Sequence, residues 1–226
     1  MDVLDQSAAL GEIGFSERIR TESDAAHRDT EQSRFVSDLL AGKLTTDGYA
    51  ALHTQTYLIY EALERIAETY AADPVAAPFL SPELVRLPSL ARDLEFLLGP
   101  QWRERIVATA ATERYVARLE ETAAESMPRF LAHHYLRYMG DLSGGQIIRR
   151  MLERAYGYQA DGLRFYIFED IPKTKVFKDA YRDKLDRAPL SADEQTAFID
   201  ETLLAYGLNR DLFADLEADI DRYLAE

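Results

Sequence analysis

The sequence predicts an all-α fold in a single domain, on three observations. Apolar residues recur at three and four through long stretches of the chain, while strand signals are scarce. The 11 glycines and 8 prolines mark the junctions between those stretches. No Pro/Gly/Ser-rich linker, internal repeat or low-complexity tract divides the 226 residues, and 47% hydrophobic with 11% aromatic residues is enough for one sizeable core.

The elements follow in order. Residues 1–15 lack a sustained period and are expected to fray, so the domain is placed at 16–226. Ser16 is positioned to cap a first helix running through His27. A second long helix follows Thr45-Thr46-Asp47, with Tyr49, Leu52, Ile59, Leu63, Ile66 and Tyr70 on one face. Ala71 to Leu80 reads as a connection, and Ser81-Pro82-Glu83 as N-cap, N1 proline and acidic first turn of a helix ended by Gly99-Pro100. Helices from Gln101 to about Thr109 and from about Thr112 to Ala124 come next. Met127-Pro128 opens a long, kinked helix ending near Tyr156-Gly157. A shorter helix at about 173–187 and a last one opened by the capping box Ser191-x-x-Glu194 complete the chain.

A formal charge of −14 argues against nucleic acid or anionic membrane as a general partner, because both need a basic footprint. There is no cationic stretch followed by an apolar run at the N-terminus and no apolar run approaching ~18 residues, so neither signal peptide nor membrane anchor is expected. The default location is cytoplasmic. Zero cysteines exclude disulfides, thiolate ligands and cysteine nucleophiles.

One stretch breaks the helical rules. Gly140, Gly144 and Gly145 interrupt an apolar period that runs through Phe130, Leu131, His134, Tyr135 and Tyr138 and resumes at Ile147, Ile148, Met151 and Leu152. Each interior glycine costs roughly 1 kcal/mol against alanine, so the loss needs a compensation. Gly140 and Gly144 are four apart and share a face, which lets backbone approach a flat object and lets the helix bend over it. A close helix crossing, or a helix end at Gly144-Gly145, is the plainer alternative.

The string HHYLRYMGDLSGGQ, His133 to Gln146, closely resembles the distal-helix signature of the haem oxygenases. The resemblance extends from about Ser16 to Leu216 through AHRDTEQSRFVSDLL, YLIYEALE, LARDLEFLLGPQW, VFKDAYRDKL and LNRDLFADL. It implies a soluble, biliverdin-producing enzyme of the bacterial type, holding haem as both substrate and cofactor between a proximal helix and the kinked distal helix. The implied reaction opens haem to biliverdin, CO and Fe2+, with O2 as co-substrate. The chain carries no flavin or nicotinamide motif, so electrons must come from an external donor, a ferredoxin or an NAD(P)H-dependent reductase.

Only four histidines occur, at 27, 53, 133 and 134, and a haem iron without cysteine needs one of them, a methionine or a tyrosine. His27 has Glu31 one turn on, where a carboxylate can accept the ring Nδ1–H and leave Nε2 for iron. The resemblance assigns His27 as that ligand, because AHRDTE occupies the family's proximal-histidine position. His53 reads as structural or exposed. His133, which matches a structural family histidine, and His134 lie about two turns before Gly140, too far along the axis to ligate. A di-iron site needs Glu-x-x-His pairs, and none of the four histidines has one.

On the distal side a carboxylate set back from the iron can organise ordered water that donates to bound oxygen without touching it. The resemblance gives that role to Asp141. Arg137, four residues earlier, can hold it, and Tyr60 matches the tyrosine of the same water network. Gly140 and Gly144 would confine the oxygen against one edge of the ring. For the propionates the resemblance points to Lys178 and Arg182, to Tyr135, and to Arg20 where the family more often has lysine. Lys173, Lys175 and Lys184 add local positive charge that would bias docking of an acidic donor. A non-catalytic haem carrier or sensor is the alternative use of such a pocket, and a haem-free module of thiaminase-like architecture a third. Which meso carbon is opened, and whether the role is iron acquisition or bilin supply, stay open.

Overall fold

Helix α10, Ala192–Ala218, runs through the middle of the molecule, and most of the fold is arranged by what packs on it. The computed structural model describes residues 13–30 and 32–225. Before α10 come α1 Phe15–Thr30, α2 Arg34–Leu40, α3 Thr46–Thr69, α4 Leu87–Leu98, α5 Trp102–Arg105, α6 Ala110–Arg118, α7 Met127–Asp141, α8 Gly144–Tyr156 and α9 Thr174–Arg187. Helices α1, α2, α6 and α7 all pack on α10, α3 packs on α4 and α6, and α9 lies along α1. Among the described residues the sole strand-like pairing is one antiparallel bridge between Leu44 and Leu224.

The start of α1 differs from the sequence reading. Phe15 opens the helix and is buried, its ring edge-on to Phe198 of α10 at 5.3 Å, so the ordered fold begins before Ser16. Gly14 is the capping residue, its carbonyl accepting from the N–H groups of Glu17 and Arg18. Ser16 sits one position too deep to cap; its N–H and hydroxyl both donate to Asp186 of α9. Helix α2 is absent from the sequence reading because seven residues are too few to show a period; Ser33 caps it, and Phe35 and Leu39 bury it.

Three further boundaries move for identifiable reasons. Ser81 spends its hydroxyl on Glu83, so Pro82–Leu84 forms a single 3-10 turn and α4 starts at Leu87, where Glu64 of α3 accepts from the N–H groups of Arg86 (2.6 Å) and Leu87 (3.3 Å). The helix expected from Gln101 to Thr109 shrinks to the four residues of α5, and Thr109 instead caps α6. The long distal helix is two helices. At Ser143 the backbone leaves helical geometry (φ −114°, ψ −90°), and the Ser143 hydroxyl donates to the Met139 carbonyl 2.7 Å away, taking the place of a backbone partner. The capping box at Ser191 and Glu194 forms as expected.

A buried ion-pair cluster fastens α6 and α7 to α10. Glu201, 2% exposed, accepts from Arg118 Nε at 2.9 Å and Nη2 at 2.5 Å, while His133 Nε2 lies 2.9 Å from its other face and His133 Nδ1 is 3.3 Å from the Tyr115 hydroxyl. Burial by itself would raise the Glu201 carboxyl, but the hydrogen bonds from Arg118 and His133 hold it at about 2. Burial also lowers the His133 ring below its ordinary value. Both groups therefore add stability that is complete at neutral pH and is lost on acidification, His133 from about 6.5 downward and Glu201 between about 4.5 and 2. Replacing Glu201 with Ala leaves the half-buried Arg118 guanidinium and the buried His133 ring without their carboxylate and should cost about 3 kcal/mol at pH 7. Thermal melts should show that deficit narrowing as the pH is lowered toward 3.

Candidate active site

Two walls of the site are set by packing rather than by direct contact. Helices α1 and α7 both lie on α10 and hardly touch each other. His27 is exposed on α1, its ring edge-on to Tyr206 of α10 with centroids 5.6 Å apart. Thr30 reaches the carbonyl of the same Tyr206, so α10 holds this end of α1. Glu31, expected to orient the His27 ring, lies outside the described residues. At the end of α7 and the start of α8, a β-carbon at Gly140 or at Gly144 would meet no atom within 4 Å, so both glycines leave bare main chain facing open space. Gly145 is small for a different reason: a β-carbon there would sit 3.3 Å from the Tyr166 ring.

Behind the bare backbone is a buried polar group of residues. The Tyr60 hydroxyl donates to Asp141 Oδ2, bringing together two residues 81 apart in the chain. Burial pushes the Asp141 carboxyl up to about 6, against the Tyr60 hydrogen bond and the positive charges of Arg137 and Arg86. Arg137 does not grip Asp141 as expected from its i, i−4 position. Its guanidinium lies over the Tyr115 ring at 4.8 Å, and its Nε and Nη2 are buried with no hydrogen-bond partner in the protein. Tyr60 already occupies the near oxygen of Asp141, and Tyr115, itself against His133, offers Arg137 its flat face. Arg137 acts on Asp141 through space, and its two spare donors suit ordered water.

Several members of this group escaped the sequence reading. Arg86 is buried, caps the 165–167 turn by donating to the Ile167 carbonyl at 2.8 Å, and lies 4.0 Å over the Phe168 ring. Glu64, whose carboxyl burial raises, accepts from the Tyr138 hydroxyl at 3.2 Å. Gln146 spans the helix break, donating to the carbonyls of Asp141 and Tyr166. Its place in the GGQ string was the one available signal; Arg86 and Glu64 carried none, because a loop and an unrelated helix bring them in. The other histidines are structural in placement: His53, 1% exposed, lies 3.5 Å from buried Asp93, and His134 Nδ1 lies 2.9 Å from the Tyr181 hydroxyl with its ring pushed down to about 3 by burial.

The cations expected at the propionates lie on α1 and α9, and both arginines already hold a carboxylate of their own helix. Tyr135 of α7 is raised by burial and opposed by the nearby charges of Arg182 and Arg20, which places one residue from each of α1, α7 and α9 side by side. Arg182 donates to Asp179 at 3.1 Å and Arg20 is paired with Glu17 on its own helix. Lys178 donates to Ser143 Oγ at 2.8 Å, and burial with the neighbouring Arg182 lowers its ammonium below the ordinary lysine value. Of the further lysines, Lys175 pairs with Asp179 and Lys184 donates to the Pro78 carbonyl. A cavity of about 410 Å³ beside Arg149, Glu153 and Tyr158 shares none of these residues. Among the described residues no helix is long and apolar enough to cross a membrane.

An all-helical frame with an exposed histidine on α1, bare glycine backbone at the α7–α8 junction and cations on α9 carries the parts that a protein holding a flat, anionic macrocycle needs. The comparisons give the family. The family model described as "Heme oxygenase" matches residues 13–215. "Heme oxygenase 1" of Synechocystis sp. is 32% identical over 208 residues, covering 92% of this chain and 87% of that protein, and "Heme oxygenase 1" of Bos taurus is 35% identical over 89% of this chain and 71% of its own length. Among solved structures, heme oxygenase-1 from the cyanobacterium Synechocystis sp. in complex with heme superposes with a TM-score of 0.88 at 31% identity, over 93% of this chain and 95% of that one. Heme oxygenase from Leptospira interrogans gives 0.84 at 31% identity, over 89% and 99%. The chain belongs to the haem oxygenase family.

Because its folded value lies above the ordinary 3.8, Asp141 favours the fold when protonated, and that support is lost as the pH rises from about 4 through about 6. Asp141→Asn should therefore gain stability on the wild type across that window, by roughly 1–2 kcal/mol at pH 7. Urea titrations of both proteins at pH 4 and pH 7 measure the difference, which should be larger at pH 7.

Proposed function

We propose that the chain, a haem oxygenase by family and so an oxidoreductase that converts haem to biliverdin, works through His27 on one face of the substrate and the Gly140–Gly144 backbone on the other. The residues present fit such a group: open main chain at both glycines, an exposed imidazole, and Arg182, Lys178, Arg20 and Tyr135 for two carboxylates. Bound haem supplies the iron that activates O2 and the ring carbon that is attacked, with release of CO and Fe2+.

The protein's own part is binding, orientation and proton control. His27 is the residue that would hold the haem iron, and Glu31 would set its tautomer. Gly140 and Gly144, having no side chains, would let a flat ring lie against main chain. Asp141, with a carboxyl at about 6, holds or yields a proton near neutral pH, and Tyr60 fixes its orientation. Arg137 has Nε–H and Nη2–H to offer ordered water and keeps Asp141 from rising further. Lys178 and Arg182, one turn apart on α9, take the propionates, Lys178 giving up Ser143 Oγ to do so. Electrons come from an external ferredoxin or NAD(P)H-dependent reductase, and the location is cytoplasmic. The observation that carries the reading is the pairing of bare backbone at Gly140 and Gly144 with the half-buried Asp141 beside it, held by the Tyr60 hydroxyl.

Hemin titration of the purified protein should give a stoichiometric histidine-ligated spectrum, and addition of ferredoxin, its reductase and NADPH in air should bleach the Soret band and yield biliverdin. A complex that keeps its Soret band through this treatment is a carrier, and the enzymatic reading is then wrong. His27→Ala should remove the axial-ligand signature. Asp141→Ala should bind hemin as the wild type does while bilin formation falls about 100-fold; normal bilin yield would take Asp141 out of the mechanism.

A further inference from the structure

The first turn of α1 is capped from another helix. A helix start leaves N–H groups without partners, and the capping residue ordinarily satisfies one of them with its own side-chain oxygen. Here the capping residue is Gly14, which has none. Asp186 of α9 supplies the oxygen: Oδ1 accepts from the Ser16 N–H at 2.7 Å, and Oδ2 accepts from the Ser16 hydroxyl at 3.0 Å. The carboxylate sits so close that a β-carbon at Gly14 would lie 2.8 Å from Asp186 Oδ1 and would have to push it aside. The carboxylate also meets the positive end of the α1 dipole.

Asp186 lies on the same face of α9 as Lys178 and Arg182, at successive intervals of four. One face of one helix thus carries both the candidate propionate cations and the group that seats the His27 helix. We infer that Asp186 is a positioning residue: it locks α1 to α9 so that the axial histidine and the propionate anchors keep one fixed relation. The inference rests on the haem reading above. Losing the cap frees the first turn of α1, and the protein must then order that helix when hemin arrives, which reduces apparent affinity by the fraction of molecules with α1 docked. Phe15 and Ile19 remain buried and keep the fold, so the effect is partial.

Plain electrostatics predicts the opposite sign. Asp186 is near enough to Tyr135 to act on it through space, so its negative charge repels an anionic ligand held by Arg182 and Tyr135, and removing it should tighten binding. Positioning predicts weaker binding. In Asp186→Ala, hemin affinity should fall about five-fold, the size of a lost cap. The iron–histidine stretch in resonance Raman should shift, and the bilin isomers should broaden from one to several. Asp186→Asn, which keeps an acceptor for the Ser16 N–H but not the charge, should stay within about two-fold of wild type. Gly14→Ala, which pushes the carboxylate aside, should reproduce Asp186→Ala, and the double variant should be no worse than either. In the ligand-free protein the Ser16 amide should exchange faster in both single variants, while melting temperatures confirm that they fold. Equal or tighter hemin binding in Asp186→Ala, an Asn variant that behaves like Ala, or additive effects in the double variant would overturn the inference. A wild type without histidine-ligated hemin would overturn the haem reading itself, and the amide exchange of the ligand-free protein would still judge the cap.

Discussion

A cleft for a large flat ligand requires two helices to be held apart, against the tendency of apolar helix faces to close on each other. In this molecule α1 and α7 hardly touch each other, and each is fastened independently to α10. Helix α7 is fastened through His133 and Glu201, α6 joins through Arg118, and α1 is fastened through Phe15 on Phe198 at one end and His27 on Tyr206 at the other. Each wall buries its apolar stripe on the shared partner, so neither has a reason to collapse onto the other. The two glycines can then stay bare because nothing is driven to fill the space in front of them.

The acid excess of the chain has a structural use that net charge alone does not reveal. Carboxylates repeatedly reach from one element to the unpaired N–H groups of another. Glu64 of α3 does this at the start of α4, Asp215 of α10 at Ala111 in the first turn of α6, and Asp93 of α4 at Arg164 and Phe165. Each contact joins two elements while meeting the positive end of a helix or the donors of a turn. Negative charge distributed this way fixes the angles between helices, and those angles define the site.

What could be read in advance followed the range of the interactions involved. The helix inventory was largely legible, because α3, α9 and α10 announce themselves through local period and caps, and the proximal and distal strings carried the family. Boundaries set by distant partners were not. Nothing near Ser81 foretells that Glu64 will start α4 six residues later, and nothing near Ser16 foretells Asp186. The break at Ser143 was legible as a kink from the glycines, but its completeness depends on a serine side chain turning back on Met139 and on Gln146 bridging the gap. Spacing also misled at Arg137: a separation of four places two side chains within reach, yet Tyr115 and Tyr60 decide between them which one is touched.

The carboxyl at about 6 gives the interior a property that no fully ionised or fully neutral group would have. An ordinary aspartate holds a proton at neutral pH only at a cost of several kcal/mol, and a strongly buried one releases it at a similar cost. Lying within about one unit of neutrality, Asp141 can do either for roughly 1.4 kcal/mol, so it acts as a small local buffer.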